Sequence, residues 1–193
     1  MDNQFNHRLV VMLILVALLS SCDSKIFTQE NDGWDSVTHE AFNFSIEYPD
    51  NLYTQLGNEF GYRGRKNTRF IVFTTGAQRP RNLIITVETR SAESPTLNDV
   101  INWGNEDLDE IKSDPVMTIN RGFEEIFLVE EQINNVTVCR RRYAFRRSSL
   151  LYEEVYIARA NDMVILTLEV DEDYLDNNLI IFNRMVDSFE PLD

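Results

Sequence analysis

Few side chains in this sequence are suited to chemistry: two cysteines, Cys22 and Cys139, two histidines, His7 and His39, and several clustered charges. Only His39 and Cys139 lie beyond residue 22. With a single histidine in that span, neither a two-histidine metal site nor a triad built on a histidine base is expected. A surface or edge role suits His39. Cys139 sits in a strand-like segment and, at a period of two, shares a face with Tyr143 and Phe145. It reads as a small core hydrophobe. The alternative is a reactive thiol whose pKa the neighbouring arginines depress.

Acids come in pairs, Glu124-Glu125, Glu130-Glu131 and Glu153-Glu154, with a run from Asp171 to Asp173. Adjacent strand residues point to opposite faces, so such pairs do not converge on one cation or substrate. Solvated charge is their expected role, and a hard-cation site built across neighbouring strands is the alternative. The basic residues are more suggestive. Arg140, Arg142 and Arg146 share one face of a strand, and Arg141 and Arg147 share the other. They either pair across strands with Glu130, Glu153 or Glu154, at roughly 0.2–1 kcal/mol each, or form a strip that binds an anion or a partner protein. Arg63, Arg65, Lys66 and Arg69 are positioned to extend such a strip. Guanidinium forks match carboxylates and phosphates, and Tyr143 and Tyr152 suit a protein interface.

The other cysteine belongs to a different kind of segment. A weakly basic start with His7 and Arg8 leads into an unbroken apolar run from Leu9 to Leu19. As a helix that run spans roughly 16 Å, about half a bilayer core. It is too short to cross and suits the apolar region of a signal peptide. It ends Leu19-Ser20-Ser21-Cys22, which resembles the lipobox of bacterial lipoproteins. That resemblance implies diacylglycerol on the Cys22 sulfur, cleavage after Ser21, and acylation (palmitate or a similar chain) of the new amine. Several acyl chains hold a protein almost permanently, at about 0.8 kcal/mol per buried methylene. The alternative is an ordinary signal peptide with Cys22 left as a thiol. Asp23 marks inner-membrane retention in enteric lipoproteins, a rule that does not hold in all phyla, so either membrane stays open.

Charge sharpens this picture. The formal net charge is −14, and it survives loss of residues 1–21 because Asp2 and Arg8 cancel. Such a body is repelled by nucleic acid and by anionic headgroups. Nucleic acid is not an expected partner, and membrane attachment falls to the lipid. The expected organisation is a leader over 1–21, an acylated start and flexible tether over 22–36, and one domain over 37–193. No cofactor and no metal are expected.

Strand patterns dominate that domain. Phe44, Ile46 and Tyr48 alternate with polar residues before the Pro49-Asp50-Asn51 turn. Arg69 to Thr75 is apolar on both faces, Leu83 to Thr89 is a further strand, and Tyr62 starts a weaker one. Ser94-Pro95-Thr96, with Asp99 as box partner, opens a helix whose stripe runs through Leu97, Val100, Ile101, Gly104, Leu108 and Ile111. Four strands follow as a meander, within 118–133, 136–147, 151–160 and 163–170, because the intervening turns are short. A last helix runs from about Asp173 to Phe189. Strands, helix, meander and helix predict an α+β domain with a single antiparallel sheet flanked by two helices.

Two short motifs carry a second resemblance. Phe44-Ser45-Ile46-Glu47-Tyr48-Pro49 resembles the opening strand of the PsbP-like group, and Met185-Val186-Asp187-Ser188-Phe189 resembles the end of its last helix. Relatives continue after Tyr-Pro into Gly-Trp or a similar pair, whereas this chain reads Asp50-Asn51-Leu52-Tyr53. The resemblance implies an α/β/α sandwich that serves as a partner or assembly module without an active site. The expectation is therefore a non-enzymatic envelope lipoprotein that binds another envelope protein. The alternative is a lipoprotein that binds a small ligand or ion in a pocket between sheet and helix.

Overall fold

A computed structural model of the chain describes residues 33–57, 65, 68–75, 83–113 and 122–192. The expected leader, Cys22, Tyr62, Arg63 and Lys66 lie outside the described residues.

Strands β1 (Trp34–His39), β2 (Phe44–Pro49), β3 (Tyr53–Gly57), β4 (Arg69–Thr74) and β5 (Ile84–Ser91) precede helix α1 (Leu97–Ser113). The meander follows as β6 (Phe123–Ile133), β7 (Val136–Phe145), β8 (Leu150–Ala158) and β9 (Asp162–Asp171), then α2 (Leu175–Ser188) and the short β10 (Glu190–Pro191). Seven strands form an antiparallel sheet in the order β3-β4-β5-β9-β8-β7-β6. The single sheet expected from sequence is corrected here, because β1, β2 and β10 make a separate three-stranded sheet. The opening strand β2 pairs with β1 and β10 rather than joining the meander. Alternation reveals a half-buried strand but not the strand it pairs with. Within the span 22–36, Trp34 is the residue expected to pack against the domain edge, and it opens β1 and stacks under Arg184 at 4.0 Å.

Local chemistry explains the element ends. Thr96 caps α1, with Asp99 Oδ2 accepting from the Thr96 amide at 2.8 Å and from its hydroxyl at 2.6 Å. Those bonds hold the Asp99 carboxyl below its ordinary range. Asn134 and Asn135 both adopt left-handed backbone (φ 49° and 65°), the twist that a two-residue hairpin requires.

Each face of the large sheet is covered. Ile71, Phe73, Ile85, Val155, Leu166 and Leu168 pack with Phe182 and Met185 of α2 and with Phe44 and Ile46 of the small sheet. On the other face Val100, Trp103 and Leu108 of α1 meet Cys139, Tyr156, Ile165 and Tyr143. Gly104 belongs to this contact. A Cβ there would stand 2.4 Å from a ring carbon of Tyr156, so only glycine lets helix and ring approach.

Candidate functional site

Strand β7 turns its arginines to both faces, and each meets carboxylates of its own chain. Arg140 donates from Nε to Glu131 at 2.7 Å, and from an Nη to Glu153 at 2.8 Å and to Asn183 of α2 at 2.9 Å. Arg142 bonds the second oxygen of Glu153 and lies 5.0 Å from the Phe127 ring. Arg146, at the strand end, reaches Glu124 at 2.7 Å and Glu172 at 2.6 Å. Arg140 and Arg142 thus share one face of β7, Arg146 lies in the turn beyond it, and the charge of all three is matched from within. Cross-strand register causes this, since Arg142 sits opposite Glu153 in β8. Arg69 points elsewhere, donating to the Ala41 carbonyl at 2.6 Å.

The opposite face holds a cluster that strand patterns did not foreshadow. Arg65 and Glu88 pair with both side chains fully buried, and Arg65 also reaches Glu154 Oε1 at 2.9 Å. Tyr143 donates to that same oxygen at 3.2 Å, and Tyr156 donates to the other oxygen of Glu154. Arg141 completes the group through Glu125 and through Asn105 of α1 at 2.6 Å. Burial pushes the Tyr156 hydroxyl far above its usual pKa of 10.0, and the carboxylate it serves adds to the rise. The solvated role expected for Glu153-Glu154 is therefore corrected: both are buried, one on each face. Their divergence follows from the pleat, as expected. The readable signal was an acid pair inside Leu151–Ile157, a segment apolar on both sides. Arg65 gave no such signal, because a loop residue's partner depends on where the loop lands.

Two arginines and three glutamates pair with one another in this cluster, so its charges are engaged within the fold. Cys139 is likewise enclosed, 2% exposed. Burial raises its thiol pKa, Glu130 adds to this, and Arg141 opposes it only in part. The core reading of Cys139 fits that geometry. His39 stacks on Phe42 with ring centroids 4.1 Å apart.

Two surfaces face outward. The first is β6, eleven residues long, which among the described residues pairs only with β7. Ile126, at the β-bulge, and Leu128 and Val129 are exposed on this edge between Glu124-Glu125 and Glu130-Glu131. The second is a cavity of 470 Å³ between the sheet and the end of α2, walled by Ile133, Val138, Ile157, Val186, Phe189 and Leu192. No helix among the described residues is long and apolar enough to cross a membrane.

No protein-family model matches the chain, and no curated protein matches it in sequence. Solved structures do. The cyanobacterial PsbP protein (CyanoP) of Synechocystis sp. PCC 6803 aligns over 82% of this chain and 92% of its own, at 15% identity and a TM-score of 0.57. A Bacteroides thetaiotaomicron protein aligns over 82% of this chain at 10% identity and a TM-score of 0.50, and the match spans only 48% of that larger protein. LpqN of Mycobacterium tuberculosis, a protein involved in cell envelope biogenesis, aligns over 85% of this chain and 94% of its own at 12% identity, with a TM-score of 0.47. The first of these likenesses defines the class: the chain has a PsbP-like α+β fold.

Proposed function

We propose that this chain is a lipid-anchored accessory protein of the bacterial cell envelope, without catalysis, that binds another envelope protein along β6. One observation carries this reading, namely the long edge strand whose outer backbone is unpaired among the described residues and whose apolar side chains are exposed. Such edges accept an added strand, with backbone bonds supplying affinity and alternate side chains supplying choice. Glu130, exposed on this edge and outside those arginine pairs, favours a segment bearing lysine or arginine over a second copy of the same edge. The internal pairing of Arg140, Arg142 and Arg146 moves the contact from the arginine strip to this edge. The lipobox-like Leu19-Ser20-Ser21-Cys22 supports the anchor.

The test places a photo-crosslinking residue at Leu128 or at Ile180, which is exposed on α2, in the full chain in native membranes. A discrete adduct from position 128 and none from 180 is expected, and Val129→Lys should abolish it. Equal adducts from both positions would sink the edge reading. Mass spectrometry of the mature N-terminus tests the anchor separately, with diacylglycerol on the Cys22 sulfur and an acyl chain on its amine expected.

A second reading, a small-ligand-binding lipoprotein, is favoured by the cavity between sheet and helix. Its size lies within the range of ligand pockets, about 300–1,000 Å³.

A further inference from the structure

The cavity opens into the hydrocarbon layer between the sheet and α2. Its apolar lining is aliphatic except for Phe189, so it offers no pair of rings between which a flat ligand would stack. Ile133, Val136, Val138, Ile157, Val186 and Leu192 give the lining a hydrocarbon surface that an alkyl chain matches.

The rim narrows the choice further. Arg159 is the one arginine there, and Asp162 holds it in a bidentate pair. Its guanidinium also donates to the carbonyls of Asn43 at 2.6 Å and Phe42 at 3.1 Å, and lies 5.6 Å from the Phe189 ring. Its charge is spent before any ligand arrives. An anionic head would find that cation already matched by Asp162 and would approach a protein of net charge −14. An uncharged head can bond the side-chain amides of Asn43, Asn134 and Asn161, which line the same cavity.

We propose that this cavity binds a single aliphatic chain with an uncharged polar end, an acyl ester or a long-chain alcohol, in preference to an ionised fatty acid. The proposal rests on the small-ligand reading and names the chemical class of its ligand. Such a molecule reaches the site either free or as part of a membrane lipid.

The experiment is an amide NMR titration of the full chain in detergent-free nanodiscs, with dodecanol, monolauroyl glycerol, dodecanoate at pH 8 and naphthalene. Saturable shifts centred on Val138, Ala158 and Leu192 are expected with the two neutral alkyl compounds. Dodecanoate should bind at least tenfold more weakly. Val136→Trp and Ala158→Trp, which fill the cavity from its exposed side, should each weaken alkyl binding at least tenfold while the thermal midpoint holds. If dodecanol binds and monolauroyl glycerol does not, the source is a free alcohol; the reverse points to a glyceride. If naphthalene alone saturates the site, or dodecanoate matches the neutral compounds, the proposed class falls and the ligand reading stands. If no compound shifts these amides, both fall.

Discussion

The two faces of the large sheet are built on opposite terms. Toward α2 the strands present Ile71, Ile85, Val155, Leu166 and Leu168, and burial of hydrocarbon holds the layers together. Toward α1 the middle of the sheet carries Arg65, Glu88, Glu154 and Arg141, with Tyr143 and Tyr156 bridging to them. The aliphatic face tolerates exchange among side chains of similar size. The charged face works only as a complete set, because its desolvation cost is offset by partners that must all be present. It also fixes position: Asn105 and Gly104 of α1 are matched to Arg141 and Tyr156 and to nothing one turn away.

Breaking the charged face at one member should therefore have the largest effect. Glu154→Ala takes from Arg65 one of its two carboxylates and from two tyrosine hydroxyls the oxygens they donate to, and is expected to cost about 3–5 kcal/mol in denaturant unfolding. Replacing the set together, as Arg65→Met, Glu88→Leu and Glu154→Leu, should cost less than that single change. Equal or larger loss in the triple variant would mean that the pairing itself stabilises the fold.

Arg140→Ala tests the charge pair that intrudes on the aliphatic side. It leaves buried Glu153 with Arg142 alone, and a loss of about 2–3 kcal/mol is expected. Gly104→Ala comes next. Helix propensity favours alanine by about 1 kcal/mol, but the Tyr156 ring is buried and tied to Glu154, so it cannot retreat from the new methyl. Overpacking should win, with a net loss of about 1–2 kcal/mol.

Titration distinguishes the faces without mutation. The folded pKa of Tyr156 is raised, so its contribution is present below the unfolded value of 10.0 and is lost as pH rises beyond it. Unfolding midpoints should fall steeply above pH 10, and Tyr156→Phe should flatten that fall. The smallest effect is expected at Arg146, whose pairs with Glu124 and Glu172 lie in solvent. Arg146→Ala should leave the unfolding midpoint unchanged at neutral pH.

How far these regions were legible follows from what each depends on. The meander, α1 with its Thr96–Asp99 cap, and α2 were readable because periodicity, turns and caps are local. Trp103 escaped the helical stripe, although it is buried at the α1 contact. Strand β3 escaped too: Tyr53 and Leu56 are exposed, and Tyr53–Gly57 carries no buried face to betray it. The arginines of β7 were correctly placed on their faces, but their partners in β8 and α2 depend on register and helix docking.

The sequence alone determined the acidic charge, the scarcity of catalytic groups and the order of most elements, since each is a property of residue type or short spacing. Tertiary structure alone decided that β2 leaves the main sheet, that Arg65 finds Glu88 and Glu154, and that a cavity opens beside Phe189. Those outcomes are contacts between segments far apart in the chain. Their energies depend on which groups are removed from water together, and no local pattern records that.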